Sequence, residues 1–434
     1  MKKIVGTFKN LKKFNWKLFI ALCVLSLAPA IYITVRTFLI SSSVSTSAFD
    51  VIGQMEWFDL IDETIKAFLI VPLYAILNKF YKNRKHFDQH VFKIGIITFV
   101  LYLAFSLIVY LVALRLVTFM NPAEVDIIMV TNYLRLETIA FAIGIIGSFV
   151  NVVFIVIGKA KNIYIFLIAK AIMMVISDFI LIPNFGVYGV AYSNMLINGI
   201  LAIVGIIVLI AEKSIKVCWF KKGDGELFKD WGRIGFFSGS ESFVNNFVYA
   251  LMICKMVNDV AEQGNYWVAN NFIWCWLLIP AAALGEVIKR DCKDGYKKLD
   301  QSNYYWIILF IVIVWSISIP SWTWFYRVPQ QLENATDIFS ITIKLFPFYI
   351  AYGLSIIPSS IFIGLGKTKY SIISSLIINI IYYGIFFILY KTGKIIMNMN
   401  MIIIMFGFGM IFAYIIQIVL EKVFLKREMI RIER

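Results

Sequence analysis

Apolar residues occur along this chain in long blocks, without the alternation of a strand or the single stripe of a soluble amphipathic helix. Runs of about 20 residues, each long enough to cross a hydrocarbon layer about 30 Å thick, follow one another from end to end. The pattern predicts spans at 16–40, 50–79, 92–117, 125–157, 162–182, 187–211, 231–257, 264–288, 303–325, 335–364, 370–390 and 397–421. The first apolar run, Leu18 to Ile40, follows a basic amphipathic stretch carrying Lys2, Lys3, Lys9, Lys12, Lys13 and Lys17. It is too long for a signal peptide and lacks a small-residue cleavage site, so it reads as the first transmembrane helix.

The polar breaks fall into two alternating sets. One is rich in Lys and Arg: the N-terminus, Lys79 to Lys93, Lys159 and Lys161, Lys213 to Lys222, Lys289 to Lys298, Lys367 with Lys369, and Lys422 to Arg434. The other set, such as Ser41 to Phe49 and Val257 to Gly264, carries almost none; Arg327, Lys391 and Lys394 are the exceptions. Basic residues remain on the cytoplasmic side, so both termini are expected inside and the number of spans must be even.

Composition agrees with the blocks: 61% of the 434 residues are apolar and 15% charged, more apolar surface than a soluble globule could hide. The formal charge of +15 lies in short loops rather than on one soluble face, which excludes a nucleic-acid partner. The five cysteines show no C-x-x-C spacing, so neither a disulfide framework nor a zinc site is expected. Both histidines, His86 and His90, fall in one basic loop. No Walker-type G-x-x-x-x-G-K-[ST] run is present. An enzyme with an intramembrane histidine and a self-contained ATP-driven pump are therefore both disfavoured.

Two anchors point to an internal duplication. Pro72 and Pro280 lie 208 residues apart, and so do Gly158-Lys159-Ala160-Lys161 and Gly366-Lys367-Thr368-Lys369. The expected fold is all-α and integral to the membrane, with twelve transmembrane helices in two pseudo-symmetric six-helix bundles. The boundaries read as an N-terminal lobe at 1–211, a cytoplasmic linker at 212–230 and a C-terminal lobe at 231–434. Six spans per half make the repeats parallel, and such halves tend to enclose a substrate site.

Ionisable residues within spans are expensive and mark candidate sites. Asp178 lies in the apolar run Met173 to Pro183 with no basic neighbour in sequence, a place where a proton or Na⁺ could bind. Glu241 lies near mid-membrane beside Ser238, Ser240, Ser242, Asn245 and Asn246, and shares a helix face with Asn245. Glu56, Asp59, Asp62 and Glu63 open the second span; Asp62 and Lys66 can pair at i,i+4, and the remaining acids can line a vestibule. Arg36, Arg135 and Glu137 lie at similar outer depth and can pair across the N-terminal half. Asn270 and Trp274 are placed to line a cavity for an apolar or cationic molecule.

The stretch from Tyr133 to Gly199 resembles the multidrug and toxic compound extrusion (MATE) family, within the wider group that holds polysaccharide and oligosaccharidyl-lipid exporters. The resemblance rests on Gly158-Lys159, on Asp178, and on the turn Ile182-Pro183-Asn184-Phe185-Gly186-Val187-Tyr188-Gly189-Val190-Ala191. Pro29, Gly235 to Asn246 and Gly364-Leu365-Gly366-Lys367 also fit. It implies a V-shaped pair of lobes and a secondary exporter of organic cationic or amphipathic molecules, by H⁺ or Na⁺ antiport and alternating access. Asp178 and Glu241 would be its ion-coupling residues. No cofactor is implied beyond the coupling ion, and the partners would be membrane lipids and a small-molecule substrate. The chain would be a monomer in a bacterial inner membrane. The sequence departs from the family at Arg36 to Ser47, which lacks the expected acid, and at Met174, which replaces a polar amide. A flippase for a lipid-linked saccharide precursor and a non-transporting receptor are the competing readings.

Overall fold

The computed structural model describes residues 14–44, 48–83, 86–121, 126–220, 225–292 and 295–428. The basic stretch from Lys2 to Lys13 lies outside them. The described residues form twelve helical passages and no strand. They are α1 (Trp16–Ser43), α2 (55–83), α3 (Phe87–Met120), α4 (Ile127–Val156), α5 (Ala160–Phe185), α6 (Val187–Ala211), α7 (225–259), α8 (263–291), α9 (Gln301–Arg327), α10 (Ala335–Gly364), α11 (Lys369–Lys391) and α12 (Met399–Glu428). Nine of them are long and apolar enough to cross a membrane, and α8, bent by 49°, makes a tenth. α2, broken into pieces of 15 and 13 residues, and α7 do not meet that measure.

The backbone repeats at the offset read from the sequence. α2 is broken after Leu69 and resumes as Val71–Asn83; α8 is broken after Leu277 and resumes as Ile279–Asp291. In both, proline is the second residue of the resumed helix, where its missing N–H and bulky ring interrupt the preceding turn. Carbonyls at the breaks are satisfied by neighbouring helices, as a bilayer requires. Leu69 O accepts from Trp231 Nε1 at 3.1 Å and Leu277 O from Trp315 Nε1 at 2.8 Å, two carbonyls that are themselves 208 residues apart. Gly158 and Gly366 also correspond. Each ends its helix at positive φ, +75° and +67°, and each is followed by a lysine N–H that reaches back five residues, to Phe154 O at 2.9 Å and Phe362 O at 2.8 Å. That is the six-to-one bond of a Schellman end, which favours glycine at the left-handed position.

The compact units do not follow the sequence halves. One comprises residues 35–264 and the other residues 1–34 with 265–434, so α7 packs with α2–α6 while the first part of α1 packs with α8–α12. The reason for the α7 assignment is local. Gly235 and Gly239 have no side chain where α7 meets Phe68 of α2; a Cβ at either would collide, with the Phe68 carbonyl at Gly235 and the Phe68 ring at Gly239. Close approach then lets Ser238 Oγ donate to Ala67 O at 2.7 Å and Asn246 Nδ2 donate to Leu60 O at 3.1 Å. The core of this unit gathers Leu73, Leu77, Val91, Ile94, Phe149, Val153, Phe154, Leu209 and Trp231.

At the other end of the same unit, loops lock together. The short helix Ala48–Ile52 carries Asp50, which accepts a backbone hydrogen bond from Gly264. Fully buried Gln54 accepts from Trp57 Nε1 at 3.0 Å and from Asn258 Nδ2 at 3.1 Å, and Asn258 also donates to Met120 O.

Candidate functional site

The polar groups of unit 35–264 converge from α1, α2, α4, α5 and α6. Helix α5 shows how. Ile168, Ile172, Ile176 and Phe179 are more than half exposed and form one apolar face. Lys170, Met174 and Asp178, four residues apart on a stripe, take the opposite face, with Met174 and Asp178 buried.

Asp178 is not a lone carboxylate. Arg36 of α1 donates from Nε to Asp178 Oδ2 at 2.7 Å and from Nη2 to Oδ1 at 3.1 Å, a bidentate pair in which the side chains are 12% and 1% exposed. The same Nη2 also donates to Asn194 Oδ1 of α6 at 3.1 Å. Asn194 turns its amide to Glu137 of α4, donating to both carboxylate oxygens at 2.8 and 3.0 Å. Tyr133 hydrogen-bonds to Glu137 as well, and Glu137 is fully buried. The result is a continuous chain, Asp178–Arg36–Asn194–Glu137–Tyr133, across four helices. The separation of 142 residues between Arg36 and Asp178 is why the sequence showed no basic neighbour.

Helix α2 supplies the second cluster. The Asp62–Lys66 pair expected from spacing forms at 2.5 Å, and Tyr102 of α3 donates to the other oxygen of Asp62. Lys66 Nζ also lies 5.6 Å from the Phe141 ring centroid. Asp59 is exposed, and Asp62, Glu137, Lys66 and Glu63 are all near enough to act on its charge. Glu63 accepts from Asn246 of α7 at 3.4 Å.

The remaining predicted residues lie elsewhere. Arg135 is two residues from Glu137 and so points to a different face; it stacks on Tyr110 at 5.3 Å and leaves the network. Glu241 is half-buried and, among the described residues, has no hydrogen-bond or ion-pair partner. Trp231, Ser238 and Asn246 of α7 engage α2, and Asn245, beside Glu241 on the helix, is exposed. In the second unit Asn270 accepts from Tyr349 at 3.4 Å, and half-exposed Trp274 packs edge-on against Tyr352 at 5.4 Å. A cavity of about 420 Å³ in that unit is lined by Trp276, Trp315 and Trp322 rather than by Trp274.

Four residues here are not marked as site residues by the sequence pattern: Asn194, Tyr102, Tyr133 and Lys170. Asn194 and Tyr102 look like ordinary polar residues in apolar runs, and only long-range packing gives them roles. Lys170 had a signal, since it lies nine residues after Lys161 in an otherwise apolar run, about 14 Å along the helix. A charged side chain at a helix centre costs about 3 kcal/mol on the insertion scale. Among the described residues Lys170 has no hydrogen-bond or ion-pair partner.

No family model and no curated protein matches this sequence. Solved structures do. An inward-facing multidrug-resistance MATE transporter superposes with a TM-score of 0.74 at 15% identity, covering 93% of this chain and 96% of its own. The fold is that of the MATE transporters. An outward-facing structure of a multidrug-resistance MATE transporter gives 0.65 at 15% identity, covering 98% of both chains. A MOP-superfamily transporter from Pyrococcus furiosus, whose binding pocket is described as having reverse polarity, gives 0.64 at 15% identity and covers 94% of this chain and 95% of its own. This MATE fold and the run of apolar helices make the chain a multi-pass membrane protein.

Proposed function

We propose that this protein is a secondary active exporter that carries amphipathic small molecules across a bacterial inner membrane by alternating access, driven by protons. The observation that carries the reading is the buried polar chain from Asp178 to Tyr133, set among the apolar helices of a MATE fold, where ionisable groups are costly. Inward- and outward-facing structures of that fold supply the two states that such a cycle needs.

Protons suit the site better than Na⁺. A sodium ion needs several oxygen ligands around it, and both oxygens of Asp178 already accept N–H bonds from Arg36. The guanidinium holds the place where a metal ion would be coordinated. A proton needs one oxygen and can enter at Asp178, at Glu137 or at Glu241, weakening the Arg36 pair in the first case. Any such step must favour one state over the other by binding it more tightly.

The test is flux of a fluorescent amphiphile in proteoliposomes. Transport is expected to follow an imposed pH gradient and to ignore a Na⁺ gradient at fixed pH. Asp178→Asn and Glu137→Gln are each expected to uncouple transport from the pH gradient by tenfold or more. Flux driven by Na⁺ alone would reject proton coupling, and no flux under either gradient across cationic, neutral and anionic amphiphiles would reject the exporter.

A further inference from the structure

The connection from α6 to α7 has features that the polar network does not use. Helix α6 ends on Lys213 at φ +52°, and Ser214 N reaches back five residues to Leu209 O at 2.9 Å. Gly158 and Gly366 end their helices in the same way, but here a lysine holds the left-handed position that glycine favours. The segment that follows is fastened along the start of α3: Lys216 N donates to Asp88 O at 3.1 Å and Cys218 Sγ to Gln89 O at 3.5 Å. Ile215 joins Phe92 and Ile96 of α3, Ile146 of α4, and Ile206 and Leu209 of α6 in lining a groove of about 240 Å³. Ile96 and Ile206 are exposed on the flank of the unit. Beyond Ile215, Val217 is 76% and Trp219 88% exposed. Apolar side chains bared at the end of a span are stable in a headgroup layer, where tryptophan concentrates.

Charge identifies the chemistry of that layer. Connections 79–90, 158–161 and 212–230 are tied together by the Lys159–Glu212 pair at 2.8 Å, the Lys79–Asp230 pair at 3.2 Å and the Lys216–Asp88 backbone bond. They hold eleven Lys and Arg against five Asp and Glu. Two of those acids are the ones just paired, and Asp88 lies in the first turn of α3, where a helix N-terminus favours an acid. Lys213 and Lys216 are exposed and, among the described residues, have no ion-pair or side-chain hydrogen-bond partner. We infer that this connection and its groove bind an anionic phospholipid, with the phosphate on Lys213 and Lys216, one acyl chain in the groove past Ile215, and Trp219 at the headgroup boundary. Basic segments beside a span attract such headgroups, and the apolar walls suit a hydrocarbon chain. A turn that only connected two helices would be more stable with glycine at position 213, so the strained lysine is itself a sign of function. The inference needs a multi-pass membrane protein and is independent of the exporter reading.

Lipid retention by the purified full-length protein, read by native mass spectrometry, tests this without flux. The probes are phosphatidylglycerol, phosphatidylcholine with the same acyl chains, and inorganic phosphate. The parent is expected to retain phosphatidylglycerol about tenfold better than phosphatidylcholine, with the preference shrinking as salt rises. Lys213→Gly combined with Lys216→Gln should abolish the preference, yet melt no lower than the parent without added lipid, because glycine suits the turn. Ile206→Trp, which fills the groove, should weaken retention of both lipids. Brominated phosphatidylglycerol should quench a component of the parent's tryptophan emission that Trp219→Phe lacks. Equal retention of the two lipids by the parent, a preference unchanged in the lysine variant, or identical quenching with and without Trp219 would overturn the site. So would a lysine variant that melts well below the parent, since the two lysines would then be structural. Displacement of the lipid by inorganic phosphate at equal concentration would reject a lipid as the ligand. Selective retention by a protein that shows no flux would sink the exporter and leave this site standing.

Discussion

At the scale of residues, the most consequential contact is the Arg36–Asp178 pair. Removing one member of a buried bidentate pair leaves the other charged and unpaired, which costs about 3 kcal/mol or more, whereas replacing both by apolar residues of similar size is often neutral. Arg36→Met alone and Asp178→Leu alone are thus expected to lower the melting temperature in detergent, and the double variant to recover most of the loss. A double variant as unstable as the worse single would show that the two residues do not act as a pair. Asp50, in the connection between α1 and α2, gives a pH-dependent case. Burial, with Glu262 adding to it, raises its carboxyl above the usual range despite the Gly264 hydrogen bond. With the folded value above the unfolded one, its contribution to stability is full at low pH and is lost as pH rises through the folded value. Asp50→Asn keeps an oxygen for Gly264 and drops the charge, so its gain in melting temperature should be largest near neutral pH and vanish on acidification; a gain at low pH only would contradict this. Sequence spacing sufficed for Asp62–Lys66 because helical geometry places i and i+4 together. It could not reveal Asp178–Arg36, or that Arg135 turns to Tyr110, since those depend on helix rotation within the packed unit.

Helices are where the sequence was most legible. Apolar run length located all twelve passages, and the paired anchors at 208 residues reappear as matched breaks and matched helix ends. What patterning does not encode is which helix lies against which. The assignment of α7 to unit 35–264 follows from Gly235 and Gly239 meeting Phe68, a relation between residues far apart in the chain. Gly239→Val is expected to force α7 off α2, costing more than 2 kcal/mol through overpacking and lost hydrogen bonds from Ser238 and Asn246. Gly232, with nothing within 4 Å of its would-be Cβ, is the control: Gly232→Ala should be silent or slightly stabilising, because alanine favours helix. Thermal melts of the two variants separate these expectations, and equal effects would remove the proposed role of the glycines.

For the whole molecule the decisive quantity is the number of crossings, because every side assignment depends on it. By length and composition ten passages qualify, and the two that do not are α2, broken into pieces of 15 and 13 residues, and α7, which carries Glu241. The two counts make different predictions about the middle of the chain. If α2 and α7 cross, the connection from Lys213 to Phe220 lies inside, on the same side as Lys159 and Lys161 and in accord with the retention of basic loops in the cytoplasm. If they do not, everything from the end of α2 to the start of α8 changes sides, and these lysines face outward. A fluorescent protein fused after Ser214 should therefore be bright, and alkaline phosphatase at the same point inactive. Fusions after Val260 should behave in the reverse way under twelve crossings. Fluorescence lost after Ser214 would refute the twelve-crossing topology, whereas fluorescence kept there and lost after Val260 fixes the polar network within a membrane crossed twelve times.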